Sequence, residues 1–177
     1  MEALNEIKRL IPDYAKDVRI NLDSTIARSS LPAQEALGVA LAAAYAAKSP
    51  RLVTAFRAAL PEVEANAAVT AAALMAMNNA WYPYVEMTGD AELKARPAQL
   101  RMQAYATHGG VDKRLFELFA LAASIVGKCH FCVQSHYTLL KESGTSVDQL
   151  RDVGRIVAVT AAAANAIAIE SEQIAMA

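Results

Sequence analysis

The stretch from Asp112 to His136, DKRLFELFALAASIVGKCHFCVQSH, decides how this chain must fold. Its first half reads as a helix: Asp112 is a cap residue, helix signals run on to about Val126, and Gly127 stands where such a helix ends. A second helix is predicted to begin near Cys129 and to stop before Gly144, with Lys141 in its last turn. On that helix, turning about 100° per residue, Cys129, Cys132 and His136 fall at i, i+3 and i+7 and share one face. Every thiol of the chain, and two of its three histidines, lie between Cys129 and His136. Were the two helices one straight rod, Glu117 would stand about 18 Å from Cys129 at 1.5 Å per residue. A fold-back near Gly127 is therefore required to bring this carboxylate to the imidazole.

Outward from this stretch, helix signals dominate and no run of alternating strands occurs, so the expected fold is all-α, a single compact helical domain over residues 1–177. Pro12, Pro32, Pro50 and Pro61 divide the first half into short helices, with Ser49 as an N-cap and Pro50 as the first helical residue. Ala36 to Ala47 and Ala67 to Met77 are alanine-rich, which favours helix and lets helices approach closely. The uncharged stretch from Ala65 to Val85 has the length of a membrane span, but its alanines, asparagines and Pro83 read as a buried helix with an exit turn. Between Tyr84 and Gly110 loops and a short helix are expected, with His108 in a loop. Ser146 and Gln149 form a capping-box pattern for a last helix reaching about Glu170. An offset of fifty residues sets the alanine-rich run ending at Asn78-Asn79 against the one ending at Lys128-Cys129, a weak sign of a duplicated helical hairpin.

Composition narrows the function. With 55% hydrophobic residues and a net charge of −1, the chain is globular and offers no electrostatic reason to bind nucleic acid or an anionic membrane. Glu2, Glu6, Lys8 and Arg9 leave no room for the apolar core of a signal peptide, so a cytoplasmic location is expected. In a reducing compartment a C-x-x-C pair is redox-active or metal-bound rather than a static staple. Structural zinc takes four ligands, usually from more than one element, whereas Cys129, Cys132 and His136 supply three from one helix, and no metal is expected.

If the chain bends at Gly127, the cysteines occupy the first turn of a helix, where free backbone N–H groups and the helix dipole favour an anion. Adjacent Lys128 adds positive charge, and thiols in such sites have pKa values reaching down to roughly 3.5–7.5. An accessible thiolate of this kind attacks a peroxide, becomes a sulfenic acid and is captured by a neighbouring thiol as a disulfide. His136, four residues after Cys132, is the candidate proton acceptor, and Glu117 is the best upstream candidate to hold its second nitrogen. Each has a plainer reading: two small buried hydrophobes for the cysteines, a satisfied core residue for His136, a surface carboxylate for Glu117 and a solvent-facing side chain for His130. Asn78, Asn79, Trp81, Tyr82 and Tyr84 read as packing rather than as a pocket, and Phe119, Leu121 and Ile125 as core.

The spacing Glu117-x11-Cys129-x-x-Cys132-x3-His136 resembles the signature of AhpD-type alkylhydroperoxidases, in the carboxymuconolactone decarboxylase-like superfamily. Other segments are also similar, among them Pro12-Asp13-Tyr14-Ala15-Lys16-Asp17, Met77-Asn78-Asn79, Arg96-Pro97 ahead of Leu100-Arg101-Met102, and Phe116-Glu117-Leu118, so the likeness covers nearly the whole chain. The resemblance implies reduction of organic hydroperoxides, with Cys132 passing through a sulfenic acid and Cys129 closing the disulfide. It further implies no tightly bound cofactor, recycling by dihydrolipoamide on a lipoylated dehydrogenase-complex subunit, support of a peroxiredoxin, and protomers assembled into homotrimers or homohexamers.

One position departs from the pattern. Well-known members carry a histidine immediately before the second cysteine, where this chain has Phe131, and its own histidine stands one place earlier at His130. One residue turns a helical side chain by about 100°, so the relay role expected of that histidine passes to His130 only as a candidate. Two rivals share the motif: a decarboxylase on the same scaffold, which does not require the thiol pair, and a redox sensor or scaffold protein whose disulfide alters partner binding without turnover.

Overall fold

The computed structural model describes residues 2–176, with side chains described for residues 4–170. The described residues form ten α-helices and two short 3-10 turns, with no strand. In chain order the helices are α1 Glu2–Leu10, α2 Lys16–Ala27, α3 Ala33–Ala46, α4 Pro50–Ala58, α5 Glu62–Thr88, α6 Ala91–Lys94, α7 Gln103–Ala106, α8 Lys113–Val126, α9 His130–Glu142 and α10 Val147–Met176. The all-α expectation is met.

The centre is a triangle of α3, α5 and α8, each packed on the other two. Small residues make this possible. Ala40, Ala43, Ala68, Ala71, Ala120 and Ala123 are fully buried, so the three backbones approach closely and the larger Phe56, Phe116 and Phe119 fill what remains. Gly38 shows how tight the α3–α8 contact is: a Cβ placed there would stand 2.3 Å from Cε1 of Phe119. Around this triangle α10 closes over α2, α3 and α8, while α9 lies on α8 and α5. Buried Asp152 of α10 accepts hydrogen bonds of 2.8 Å from both Ser30 N and Ser30 Oγ, fastening the α2–α3 link to the last helix.

The stretch Val147–Glu170 of α10 is long and apolar enough to cross a membrane by length and composition. Here Val153, Ile156, Val157, Ala163 and Ile167 are buried in the core of the bundle. The capping box forms as read from the sequence, Ser146 N donating to Gln149 Oε1 at 3.0 Å and Gln149 N to Ser146 Oγ at 3.2 Å.

Three expectations are corrected. Helix α5 does not exit near Pro83 but carries it internally and runs to Thr88, ending at Gly89 with φ 64°. A proline inside a helix costs about 3 kcal/mol or more, and here the last turns are held by Tyr82 stacking on Phe131 at 4.3 Å and by Trp81 against Tyr84 at 5.9 Å. The bend before Cys129 is made not by Gly127, whose φ is −72°, but by Lys128 at φ 54°. Gly127 is needed for closeness instead, since a Cβ there would fall 2.1 Å from Asn79 Nδ2, which donates to Ala123 O at 3.1 Å. Finally, the offset of fifty joins the middle of α5 to a corner and marks no repeat. The repeated unit lies at an offset of eighty, where α3 and α4 match α8 and α9, Lys48 with φ 57° matches Lys128, and Ala40, Leu41, Ala42, Ala43, Val53 and Leu60 recur as Ala120, Leu121, Ala122, Ala123, Val133 and Leu140.

Gly38→Ala is expected to destabilise the protein by about 1–3 kcal/mol through overpacking, measured from the urea unfolding midpoint. Phe119→Leu in the same background should recover part of that loss if the ring is the obstacle.

Candidate active site

The site is assembled at the corner between α8 and α9. Helix α8 starts at Asp112, whose side chain accepts from Leu115 N at 3.0 Å, and its first turns carry Glu117 into the interior. After the left-handed Lys128 the chain reverses, and Cys129 becomes the N-cap of α9. The Cys129 sulfur accepts the backbone N–H of Cys132 at 3.3 Å, taking the place a cap oxygen usually fills. Cys129 and Cys132 are joined as a disulfide with Cα atoms 5.3 Å apart. Both sulfurs therefore sit among the unpaired N–H groups and positive dipole end that favour a thiolate once the bond is reduced.

The fold-back brings Glu117 to His136. Oε2 of the carboxylate lies 2.5 Å from His136 Nδ1, with both residues nearly sealed from solvent, at 2% and 5% exposed. A residue not anticipated from the sequence completes this end of the site. Tyr105, on the short α7, donates its hydroxyl to Glu117 Oε1 and sets its ring edge-on against Phe116 at 5.7 Å. Nothing in the local sequence singles out Tyr105, because the segment around it is irregular and only the tertiary fold carries it to the carboxylate. On the far side of the imidazole, Nε2 lies 3.2 Å from Sδ of the fully buried Met75 on α5. Among the described residues no hydrogen bond joins His136 to either sulfur of the disulfide.

Burial pushes the Glu117 carboxyl pKa up. Hydrogen bonds from His136 and Tyr105, with the positive charges of His136 and Lys113, outweigh it and hold the group below its ordinary value of 4.5. Tyr105 moves upward, through burial and then through its hydrogen bond to the Glu117 carboxylate and that group's negative charge, so its phenol stays a donor. Such an arrangement can serve as an oriented base, the ionised carboxylate accepting from Nδ1 while Nε2 points to the other side of the ring.

His130 is not part of this cluster. It faces solvent, with Nδ1 3.2 Å from Glu86 Oε1 on α5. Phe131 is 54% exposed and stacked on Tyr82, so the position immediately before Cys132 offers an apolar ring at the surface. Cys129 is fully buried and Cys132 is 3% exposed. Asn78 O stands 4.0 Å from Cys129 Sγ, and an apolar cavity of about 600 Å³, lined among others by Tyr45, Val53, Ala72, Asn79 and Val126, reaches Gly127 just ahead of that sulfur.

A redox-type C-x-x-C at a helix start, backed by a buried Glu-His pair in an all-helical bundle, defines a class of thiol proteins, and comparison with known sequences gives it a family. The carboxymuconolactone decarboxylase family matches residues 91–170. Proteins called alkyl hydroperoxide reductase AhpD are similar over almost the full length: one from a Bradyrhizobium species is 40% identical, covering 93% of each chain. Another from Streptomyces avermitilis is 40% identical over 96% of this chain and 97% of its own. A third, from Anaeromyxobacter dehalogenans, is 41% identical over 94% and 91%. The chain belongs to the AhpD family of alkyl hydroperoxide reductases.

Because the folded carboxyl of Glu117 binds its proton more weakly than the unfolded one, its contribution to stability is complete well above pH 4.5 and is lost as pH falls through 4.5 toward the lower folded value. Urea unfolding of the wild type and Glu117→Gln between pH 7 and pH 3 should show a stability difference that shrinks only below about 4.5. A difference independent of pH would remove the carboxylate from this account.

Proposed function

We propose that the protein is a thiol-dependent peroxidase for organic hydroperoxides, recycled by dihydrolipoamide. The observation that carries this reading is the buried Glu117–His136 pair one helical turn beyond Cys132, itself at the start of α9 and joined to Cys129. In the reduced protein Cys132 is a thiolate paired with His136, whose Nε2 holds the proton. The thiolate attacks the distal peroxide oxygen, an S–O bond forms as O–O breaks, and the departing alkoxide takes the proton back from His136 as the alcohol. Cys129 then passes its thiol proton to His136 Nε2 and attacks the sulfenic sulfur, closing the disulfide and expelling hydroxide, which takes a proton from solvent to leave as water, so the disulfide form carries an Nε2–H. Glu117 keeps Nδ1 protonated, and Tyr105 keeps Glu117 in place.

Apolar surroundings suit this substrate class and reductant. Phe131, next to Cys132 in the chain, is exposed and stacked on Tyr82, and the apolar cavity extends from the Lys48-Ser49-Pro50 corner to Gly127, two residues before Cys129. Alkyl chains and a lipoyl arm would thus find apolar surface near the motif, although the sulfurs themselves do not line that cavity. With both sulfurs almost wholly covered, this reading requires the first turn of α9 to yield before reagents reach them. The carrier of the lipoyl group would be a lipoylated dehydrogenase-complex subunit, a peroxiredoxin would be a second client, and the reducing cytoplasm is the setting in which the pair cycles; assembly into trimers or hexamers is part of the same proposal.

Purified protein supplied with dihydrolipoamide and cumene hydroperoxide should turn over. Cys132→Ser should abolish this and His136→Asn should lower kcat by about 10²–10⁴-fold. Unchanged turnover in Cys132→Ser sinks the mechanism. The burial of both sulfurs also favours a second reading, a single-use redox sensor, which stoichiometric oxidation by peroxide without steady-state turnover would support instead.

A further inference from the structure

The proposed mechanism uses one side of the His136 ring nitrogen Nε2, yet the structure gives that nitrogen a partner outside the cysteine pair. Met75 Sδ lies 3.2 Å from it. Met75 is fully buried on α5, and Asn78 Nδ2, one turn on, approaches the same sulfur at 3.8 Å. A thioether sulfur has no proton to give, so at this distance it is an acceptor and the nitrogen facing it is a donor. The other nitrogen faces the Glu117 carboxylate at 2.5 Å and donates as well. In the disulfide form the ring is thus clamped between a strong acceptor and a weak one, while neither disulfide sulfur takes a hydrogen bond from it.

We infer that Met75 is a positioning residue that serves as the alternate acceptor for His136 Nε2–H: the same N–H pairs with Cys132 Sγ in the dithiol form and with Met75 Sδ in the disulfide form. The chemistry of the two sulfurs sets the order. A thiolate is a full anion and outcompetes a thioether, so reduction draws the N–H to Cys132. Once that sulfur is bound in the disulfide its charge is gone, and without Met75 the N–H would be left buried and unpaired. A weak acceptor suits this place, because a carboxylate or a second imidazole here would hold the proton against Cys132. Met75 thereby stabilises the oxidised form and lowers the reduction potential of the Cys129–Cys132 pair.

This inference rests on the reading of His136 as the partner of the Cys132 thiolate, but its test needs no peroxide. The disulfide–dithiol equilibrium of the wild type, Met75→Leu and Met75→Gln is measured in dithiothreitol redox buffers, with the fraction reduced read by alkylation and mass spectrometry. Met75→Leu keeps the volume and deletes the acceptor, and should shift the equilibrium about three- to tenfold toward the dithiol. Met75→Gln returns an acceptor oxygen at similar reach and should bring it back toward wild type. A loss of packing alone, felt equally in both redox forms, leaves the equilibrium where it was. An equilibrium for Met75→Leu within about twofold of wild type, or Met75→Gln displaced as far as Met75→Leu, overturns the proposal. Should Met75→Leu not fold, norleucine in place of methionine deletes the sulfur while keeping the shape, and the same displacement is required of it. A shifted equilibrium in a protein that shows no peroxide turnover would end the peroxidase reading and leave this one standing.

Discussion

The hydrogen bond between Glu117 and His136 is the constraint around which the bundle is arranged. Two ionisable groups this deeply covered are costly to strip of water, and removing one partner of such a pair typically costs about 3–5 kcal/mol because the other is left uncompensated. The pair is retained because its remaining valences are filled: Tyr105 satisfies the second carboxylate oxygen, Lys113 lends positive charge, and Met75 takes the far ring nitrogen. Those partners come from α7, α8 and α5, so the site is a junction of elements rather than a property of one motif.

The hairpin that makes the junction occurs twice. In the first copy the places of Glu117, Cys129, Cys132 and His136 are taken by Leu37, Ser49, Leu52 and Phe56, all buried. The same corner, with a left-handed lysine in each copy, thus supports an apolar core in one half and a disulfide beside a buried Glu-His pair in the other. A non-glycine residue at positive φ costs about 1–2 kcal/mol, and both corners hold it because the flanking helices are pinned by close alanine packing. Stability is supplied by the scaffold as a whole, which leaves the second copy free to carry polar groups that by themselves destabilise an interior.

Much of the architecture was readable along the chain. The caps at Asp112 and at Ser146 with Gln149, the alanine faces, and the helix start at Cys129 are local signals, and they formed as local physics dictates. Local signals misled where a neighbour decided. Pro83 reads as a helix end, but α5 runs through it and stacks Tyr82 on Phe131 of α9; Gly127 does end α8, but the bend falls on Lys128, and Gly127 is required for the close approach of Asn79. Alanine-rich segments match one another wherever they are laid, so the true offset of eighty stands out only once the two left-handed lysine corners, Lys48 and Lys128, are seen to coincide.

For the candidate site, the order of residues alone placed the two cysteines and His136 on one helical face, which follows from the pitch of the helix and the spacing of side chains. It also established that the acid could join them only if the chain reversed. Which residues finish the site was settled by tertiary structure: Tyr105 and Met75 lie 31 and 61 residues from His136 in the sequence, carry no motif, and reach it only because α7 and α5 are packed against the hairpin. Helix pitch already allowed His130 a solvent-facing place one residue on from buried Cys129, and tertiary structure added its partner there, Glu86 of α5, because α5 runs on beside the start of α9.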